Sequence, residues 1–131
     1  VLQPRGTTGY CHRIICAQDY SAVTAACMMV KRSAFEEVGG LTEELAVAFN
    51  DIDFCMKLRT AGYLIVYNPY AELYHYESKS RGLEDTPEKV ARFNKEIQIF
   101  ERRWPDIMRD GDPYYNPNLT LKSQDFSLKR I

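Results

Sequence analysis

Apolar positions run almost unbroken through residues 22–30, where only Thr24 interrupts the series from Ala22 to Val30. A stretch apolar on both faces predicts a strand covered from two sides, central in a sheet. At Ser33 the rhythm changes. Ser33 followed three residues later by Glu36 has the form of a capping box, and Gly39-Gly40 closes the predicted helix within two turns. Residues 41–49 read as a loop with some local structure. A second helix is predicted over 51–61, stopped by Gly62, then a short buried strand over 64–67 closed by Asn68-Pro69. Residues 71–76 alternate, with Ala71, Leu73 and His75 on one face, which predicts another strand. After a polar stretch over 77–85, Thr86-Pro87 begins the longest helix with a cap and a proline in its first turn. Val90, Phe93, Ile97, Phe100 and Trp104 form its apolar stripe, and Pro105 ends it. The first ten residues read as loop, 12–17 as extended, and 106–131 as an irregular segment wrapping the surface.

The chain has 131 residues, with 17 Lys and Arg against 18 Asp and Glu, for a net charge of -1. That balance removes the electrostatic case for nucleic acid or an anionic membrane as partner. An apolar content of 45%, with 12% aromatic, is enough to bury a core. No apolar run approaches the roughly 20 residues of a membrane span, and no signal segment opens the chain. Cys11, Cys16, Cys27 and Cys55 lack metal-ligand spacing. They are read as reduced, buried thiols of a cytoplasmic protein rather than as disulfides. The start at Val1 suggests an excised fragment, although processing or tag removal gives the same start.

Candidate chemistry concentrates at the start of the second helix. With Asp51 at zero on a helical wheel, Phe54, Cys55, Leu58 and Ala61 flank it on the apolar face. Asp53 falls opposite, and is expected in solvent with Lys57 as its i,i+4 partner. Asp51 is expected on the buried side at the positive end of the helix, with Asn50 available as cap. A carboxylate there is either a general base or a plain helix-start acid. The spacing Asp51-Ile52-Asp53 imitates a D-x-D metal motif, but on a helix the two acids point to opposite sides. His75 is followed by Ser78, Lys79, Ser80 and Arg81, donors suited to phosphate oxygens, with a solvated loop as the alternative.

Four blocks in order carry a resemblance: Ala22-Val-Thr-Ala-Ala-Cys-Met-Met-Val30, Phe35-Glu-Glu-Val-Gly-Gly-Leu41, Asn50-Asp-Ile-Asp-Phe-Cys-Met-Lys-Leu-Arg-Thr-Ala-Gly-Tyr63 and Tyr74-His-Tyr-Glu-Ser-Lys-Ser-Arg-Gly82. Together they resemble the C-terminal half of a family 2 glycosyltransferase with the GT-A fold, nearest to bacterial enzymes of O-antigen or rhamnan synthesis. Asp112-Pro-Tyr-Tyr-Asn-Pro-Asn-Leu119 and Asp125-Phe-Ser-Leu128 resemble the end of the same module.

The resemblance implies an α/β fold: a partial GT-A, Rossmann-like unit with a small mixed sheet and about three helices. The single fragment would have its core at about 20–105. It implies Asp51 as the base that deprotonates the acceptor hydroxyl, with Asn50 standing where the family carries an acid. His75 falls on a residue that is a metal ligand in some members, and Ser78, Ser80 and Arg81 fall where diphosphate or acceptor contacts lie. Asp51 and His75 are then expected in one cleft. The parent enzyme would transfer sugar from a nucleotide-sugar donor to a saccharide acceptor, with inversion, using a Mg or Mn ion. The fragment itself is expected to bind no cofactor and to be inactive, because the donor-binding half is not among its residues. The expected location is cytoplasmic, at the inner face of the membrane, with neither nucleic acid nor a transmembrane segment involved. The uncovered strand face predicts a homodimer of the fragment. The alternative from another class is a non-catalytic carbohydrate-binding or assembly module, with tyrosines stacking on sugars.

Overall fold

Helix α2 (Asn50–Thr60) is the element around which the chain is arranged. In the computed structural model, which describes residues 4–75, 86–123 and 125–130, its Asp53, Phe54, Cys55, Met56 and Leu58 are all buried. Four consecutive buried residues cover about 300° of a helix at 100° each, so α2 is wrapped on nearly every side. The expected two-faced helix, with Asp53 in water, is therefore corrected: Asp53 is 0% exposed.

Around α2 lie β1 (Gln18–Tyr20), α1 (Arg32–Glu37), β2 (Ile65–Tyr67), α3 (Pro87–Arg103) and α4 (Pro105–Asp110). The strands β1 and β2 form a two-stranded antiparallel sheet in the register Gln18–Tyr67, Asp19–Val66 and Tyr20–Ile65. The result is a small α/β unit. Two of its details differ from expectation, because the sheet is antiparallel rather than mixed and the α-helices number four among the described residues. The core gathers Ala34 from α1, Phe54, Cys55, Met56 and Leu58 from α2 and Ile65 from β2, with Val23, Met28, Val30, Trp104 and Ile107 packed against it.

Residues 22–30 are not a central strand. Ala25–Cys27 is a turn of 3-10 helix capped by Thr24, and Met28 is extended but unpaired. Met28 and Val30 face the core while Met29 between them is 99% exposed. Side chains do alternate at 28–30, but only one face found cover, so the expected strand covered from two sides is corrected. Residues 71–75 form no strand and are exposed, and 12–17 hold turns that follow a 3-10 turn at Tyr10–His12. The capping box of α1 is also absent. The helix starts two residues earlier than a cap at Ser33 requires, at Arg32 after Lys31, and Glu36 instead accepts the Arg32 Nε–H at 2.8 Å.

The start of α3 follows the local signal: the Thr86 hydroxyl accepts the Lys89 N–H, with Pro87 at the first helical position. Pro105 does end α3, but it also opens α4, so the segment after 105 is not wholly irregular. On α3 the residues that sink deepest are Glu96 and Ile99, whereas Val90 and Phe93 stay partly exposed. Phe93 and Phe100 both pack on Phe49, each with ring centroids 5.5 Å from it. Of the cysteines, Cys55 is buried and Cys11, Cys16 and Cys27 are exposed, all four as free thiols. The expectation of burial holds for Cys55 alone.

Candidate functional site

The entry to α2 is built on strained backbone. Phe49, preceding the helix, has φ 63°, a left-handed conformation uncommon for a large side chain, and Phe93 and Phe100 of α3 clamp its ring. Its carbonyl accepts the Asp53 N–H at 2.8 Å. Asn50 is the first helical residue, and no side chain caps this end. Asn50 therefore does not serve as the cap expected of it.

Asp51 sits in the first turn, half-buried, where the helix dipole favours a negative charge. Its Oδ2 accepts the Ala25 N–H at 3.2 Å and its Oδ1 the Ile52 N–H at 2.9 Å. The carboxylate thus joins the start of α2 to the exposed turn Ala25–Cys27, which is itself a piece of the first resemblance block. Two backbone donors hold it in place while it remains open to water. Nearby, burial pushes the Cys55 thiol up, with the Asp51 charge adding to the effect.

Asp53 has the opposite fate. Its Oδ2 accepts the Thr42 hydroxyl at 2.6 Å, and its Oδ1 accepts Arg103 Nε–H at 2.8 Å and Trp104 Nε1–H at 2.9 Å. Lys57, the expected i,i+4 partner, lies 3.8 Å away and also donates to the Gly40 carbonyl. Burial alone would raise this carboxyl, but the bonds from Thr42, Arg103 and Trp104 outweigh it and hold it below the ordinary range. Asp53 is a structural anchor between α2, the loop after Gly40 and the α3–α4 junction. The two acids do point in different directions, as a helix requires.

His75 lies on the exposed stretch that follows β2. Ser78, Ser80 and Arg81 fall within 76–85, outside the described residues. Among the described residues, no group of three His, Cys, Asp or Glu side chains could hold a metal ion. The described residues thus do not of themselves fit a cation. No helix among them is long and apolar enough to cross a membrane.

Sequence reasoning missed a second buried acid. Glu96, 3% exposed, accepts the Val47 and Ala48 N–H groups at 3.3 and 2.7 Å and so pins the loop leading into Phe49 and Asp51. Its charge set it apart from the apolar stripe of α3, although Ile97 follows it directly. A glutamate three residues from Phe93 and four from Phe100 lies on the packed side, however, and that spacing could have found it.

In sequence, the chain is similar to proteins whose names describe O-antigen biosynthesis and rhamnosyl transfer. The chain is 56% identical over 129 residues, 98% of its length, to an uncharacterised protein of Sinorhizobium fredii. It is 34% identical over 86% of its length to the O-antigen biosynthesis protein RfbC of Myxococcus xanthus. Over 60% of its length it is 37% identical to an N-acetylglucosaminyl-diphospho-decaprenol L-rhamnosyltransferase of Mycobacterium tuberculosis. The chain spans only 14%, 8% and 25% of these relatives. No family model matches it, and no solved structure matches it significantly. These relatives uphold the resemblance to family 2 glycosyltransferases drawn from the four sequence blocks.

Proposed function

We propose that this chain is the acceptor-side portion of an inverting glycosyltransferase, which moves a sugar from a nucleotide-sugar donor to a saccharide acceptor in bacterial surface-polysaccharide synthesis. The observation that supports it best is Asp51, half-buried in the first turn of α2 and held by the Ala25 and Ile52 amides, which lie in two of the blocks that carry the family resemblance. As general base, the carboxylate takes the proton of an acceptor hydroxyl. That oxygen bonds to the anomeric carbon as the bond to the diphosphate breaks on the opposite face. Two backbone donors restrict the rotation of the carboxylate, which keeps its free lone pairs aimed at one place. Glu96 and the Phe49 clamp fix the backbone that carries it.

Asn50, Ser78, Ser80 and Arg81 are proposed to contact the substrates, and the reaction to run on the cytoplasmic side of the membrane. A divalent cation, when bound, would neutralise charge on the departing diphosphate. His75 would supply one imidazole to it. The remaining ligands are not assembled by the described residues, so no step is routed through the ion.

The test is Asp51→Asn in the complete gene product. The change keeps shape and removes basicity, so kcat should fall by about 10²-fold or more with little change in KM. Near-normal kcat would remove Asp51 from the mechanism. The 131-residue chain alone should neither transfer sugar nor bind a nucleotide sugar tightly.

A further inference from the structure

Away from Asp51, a second place gathers polar side chains with uncommitted hydrogen-bonding atoms. A cavity of about 410 Å³ lies between the N-terminal segment, β1 and the C-terminal segment. It is lined by Tyr10, Arg13, Gln18, Asp19, Tyr114 and Asn116, with buried Leu119 supplying an apolar surface. The volume falls within the range of small-molecule sites.

These side chains are held, yet each keeps something to offer. The Arg13 guanidinium lies 4.9 Å from the Tyr20 ring centroid and 5.7 Å from that of Phe126, so its faces are stacked while its N–H edge stays available. Tyr10 stacks on Phe126 at 4.6 Å with planes 10° apart. Gln18 spends its Nε2 on the Arg13 carbonyl at 2.6 Å and retains its Oε1. Asn116 spends its Oδ1 on the Asn118 N–H at 2.9 Å and retains its NH₂ group. The Asp19 carboxylate takes part in no hydrogen bond or ion pair among the described residues.

One cation and one anion cancel, so the cavity does not select for an anion, and a phosphate drawn to Arg13 would be repelled by Asp19. The uncommitted groups are two kinds of acceptor, Asp19 and Gln18, and two kinds of donor, Arg13 and Asn116. Tyr10, Tyr114 and Leu119 add faces for C–H groups. A ligand that donates and accepts around its rim and is apolar across its face is a sugar ring.

We propose that this cavity is a saccharide subsite for a neutral sugar ring, distal to the reacting hydroxyl. Arg59, in the last turn of α2, lies 5.4 Å from the Tyr114 ring centroid. The cavity is therefore at the opposite end of α2 from Asp51, eight residues or about 12 Å along the axis. Calling the ring part of the acceptor rests on the function proposed above; the binding of a sugar ring does not.

The experiment is saturation-transfer NMR on the intact chain with the methyl glycosides of glucose, galactose and rhamnose, and with inorganic pyrophosphate as the anionic comparison. Saturable binding of at least one glycoside is expected, weakened at least tenfold by Asp19→Ala and unaffected by Asp51→Asn. Circular dichroism should stay unchanged, and Asp19→Asn serves as the isosteric check should the alanine variant misfold. Binding of pyrophosphate but no glycoside, no glycoside binding at all, or binding indifferent to both Asp19 variants would each overturn the subsite. In the complete gene product Asp19→Ala should raise the acceptor KM at least fivefold and leave kcat unchanged. Glycoside binding with an unaltered acceptor KM would overturn the acceptor assignment alone. Glycoside binding by a gene product that transfers no sugar would sink the enzymatic reading and leave the subsite standing.

Discussion

Replacing Asp53 by Ala is the sharpest test of how this chain holds together. The carboxylate is fully buried and accepts three hydrogen bonds, from Thr42, Arg103 and Trp104. Its removal strands the Trp104 indole N–H and leaves Lys57 and Arg103 without their shared counter-charge. Breaking a buried pair in this way costs about 3–5 kcal/mol. Arg103 is about a third exposed, so solvent screens its share and the lower half of that range is expected. Domains of this size are stable by about 5–15 kcal/mol, so the loss is a large fraction of the whole. With a urea dependence of about 2 kcal/mol per molar, the midpoint should fall by roughly 1.5–2 M. Asp53→Asn keeps an acceptor for Arg103 and Trp104 and should cost less, about 1.5–3 kcal/mol.

The same group sets a pH dependence. Its folded-state carboxyl lies below the ordinary range, so its stabilisation is fully present above the unfolded value near 3.9 and is lost as pH falls through the lowered one. In urea titrations the difference between wild type and Asp53→Asn should therefore shrink as pH falls from 7 to about 3. A loss below about 1 kcal/mol for Asp53→Ala at pH 7 would refute the anchor.

Other expectations follow from single contacts. Glu96→Ala should destabilise by about 2 kcal/mol, since it removes the carboxylate that accepts the Val47 and Ala48 N–H groups, and should speed hydrogen exchange at Ala48 before exchange at α2. Thr86→Ala removes the cap of α3 and should cost about 1 kcal/mol in thermal or urea unfolding, with Thr86→Ser restoring most of it. Gly39 and Gly40 both have positive φ, but a Cβ on Gly40 would meet the Phe35 ring at 2.8 Å while Gly39 has open space. Gly39→Ala should cost about 1–2 kcal/mol and Gly40→Ala more, and equal losses would count against the close approach. Exposed Met29 and the exposed apolar side chains Leu64 and Val66 lead us to propose a homodimer, checked by sedimentation at micromolar concentration. A clean 15 kDa species would end that proposal.

Local signals in the sequence were enough for α2 and its stop at Gly62, for α3 between Thr86 and Pro105, and for the position of β2 but not its expected burial, since Leu64 and Val66 are exposed and only Ile65 is buried. Caps, glycine stops and proline starts act through hydrogen bonds a few residues long, so a one-dimensional pattern carries them. The candidate base was legible for the same reason, since Asp51 owes its place to the first turn of a helix. The surroundings of each element were not legible. The wheel put Asp53 in water because it counts only the residues of α2, and nothing in residues 51–61 announces that Thr42, Arg103 and Trp104 will converge there from segments 11, 50 and 51 positions away. Residues 22–30 failed in the opposite sense: their apolar pattern asks for cover on two sides, yet Met29 has none among the described residues. β1 was missed because three residues make a strand only when a partner is at hand, and that partner, β2, lies some 45 residues away in sequence. Burial, pairing and the cavity between the two ends of the chain belong to contacts distant in sequence, where the free energy of a side chain depends on what stands opposite it.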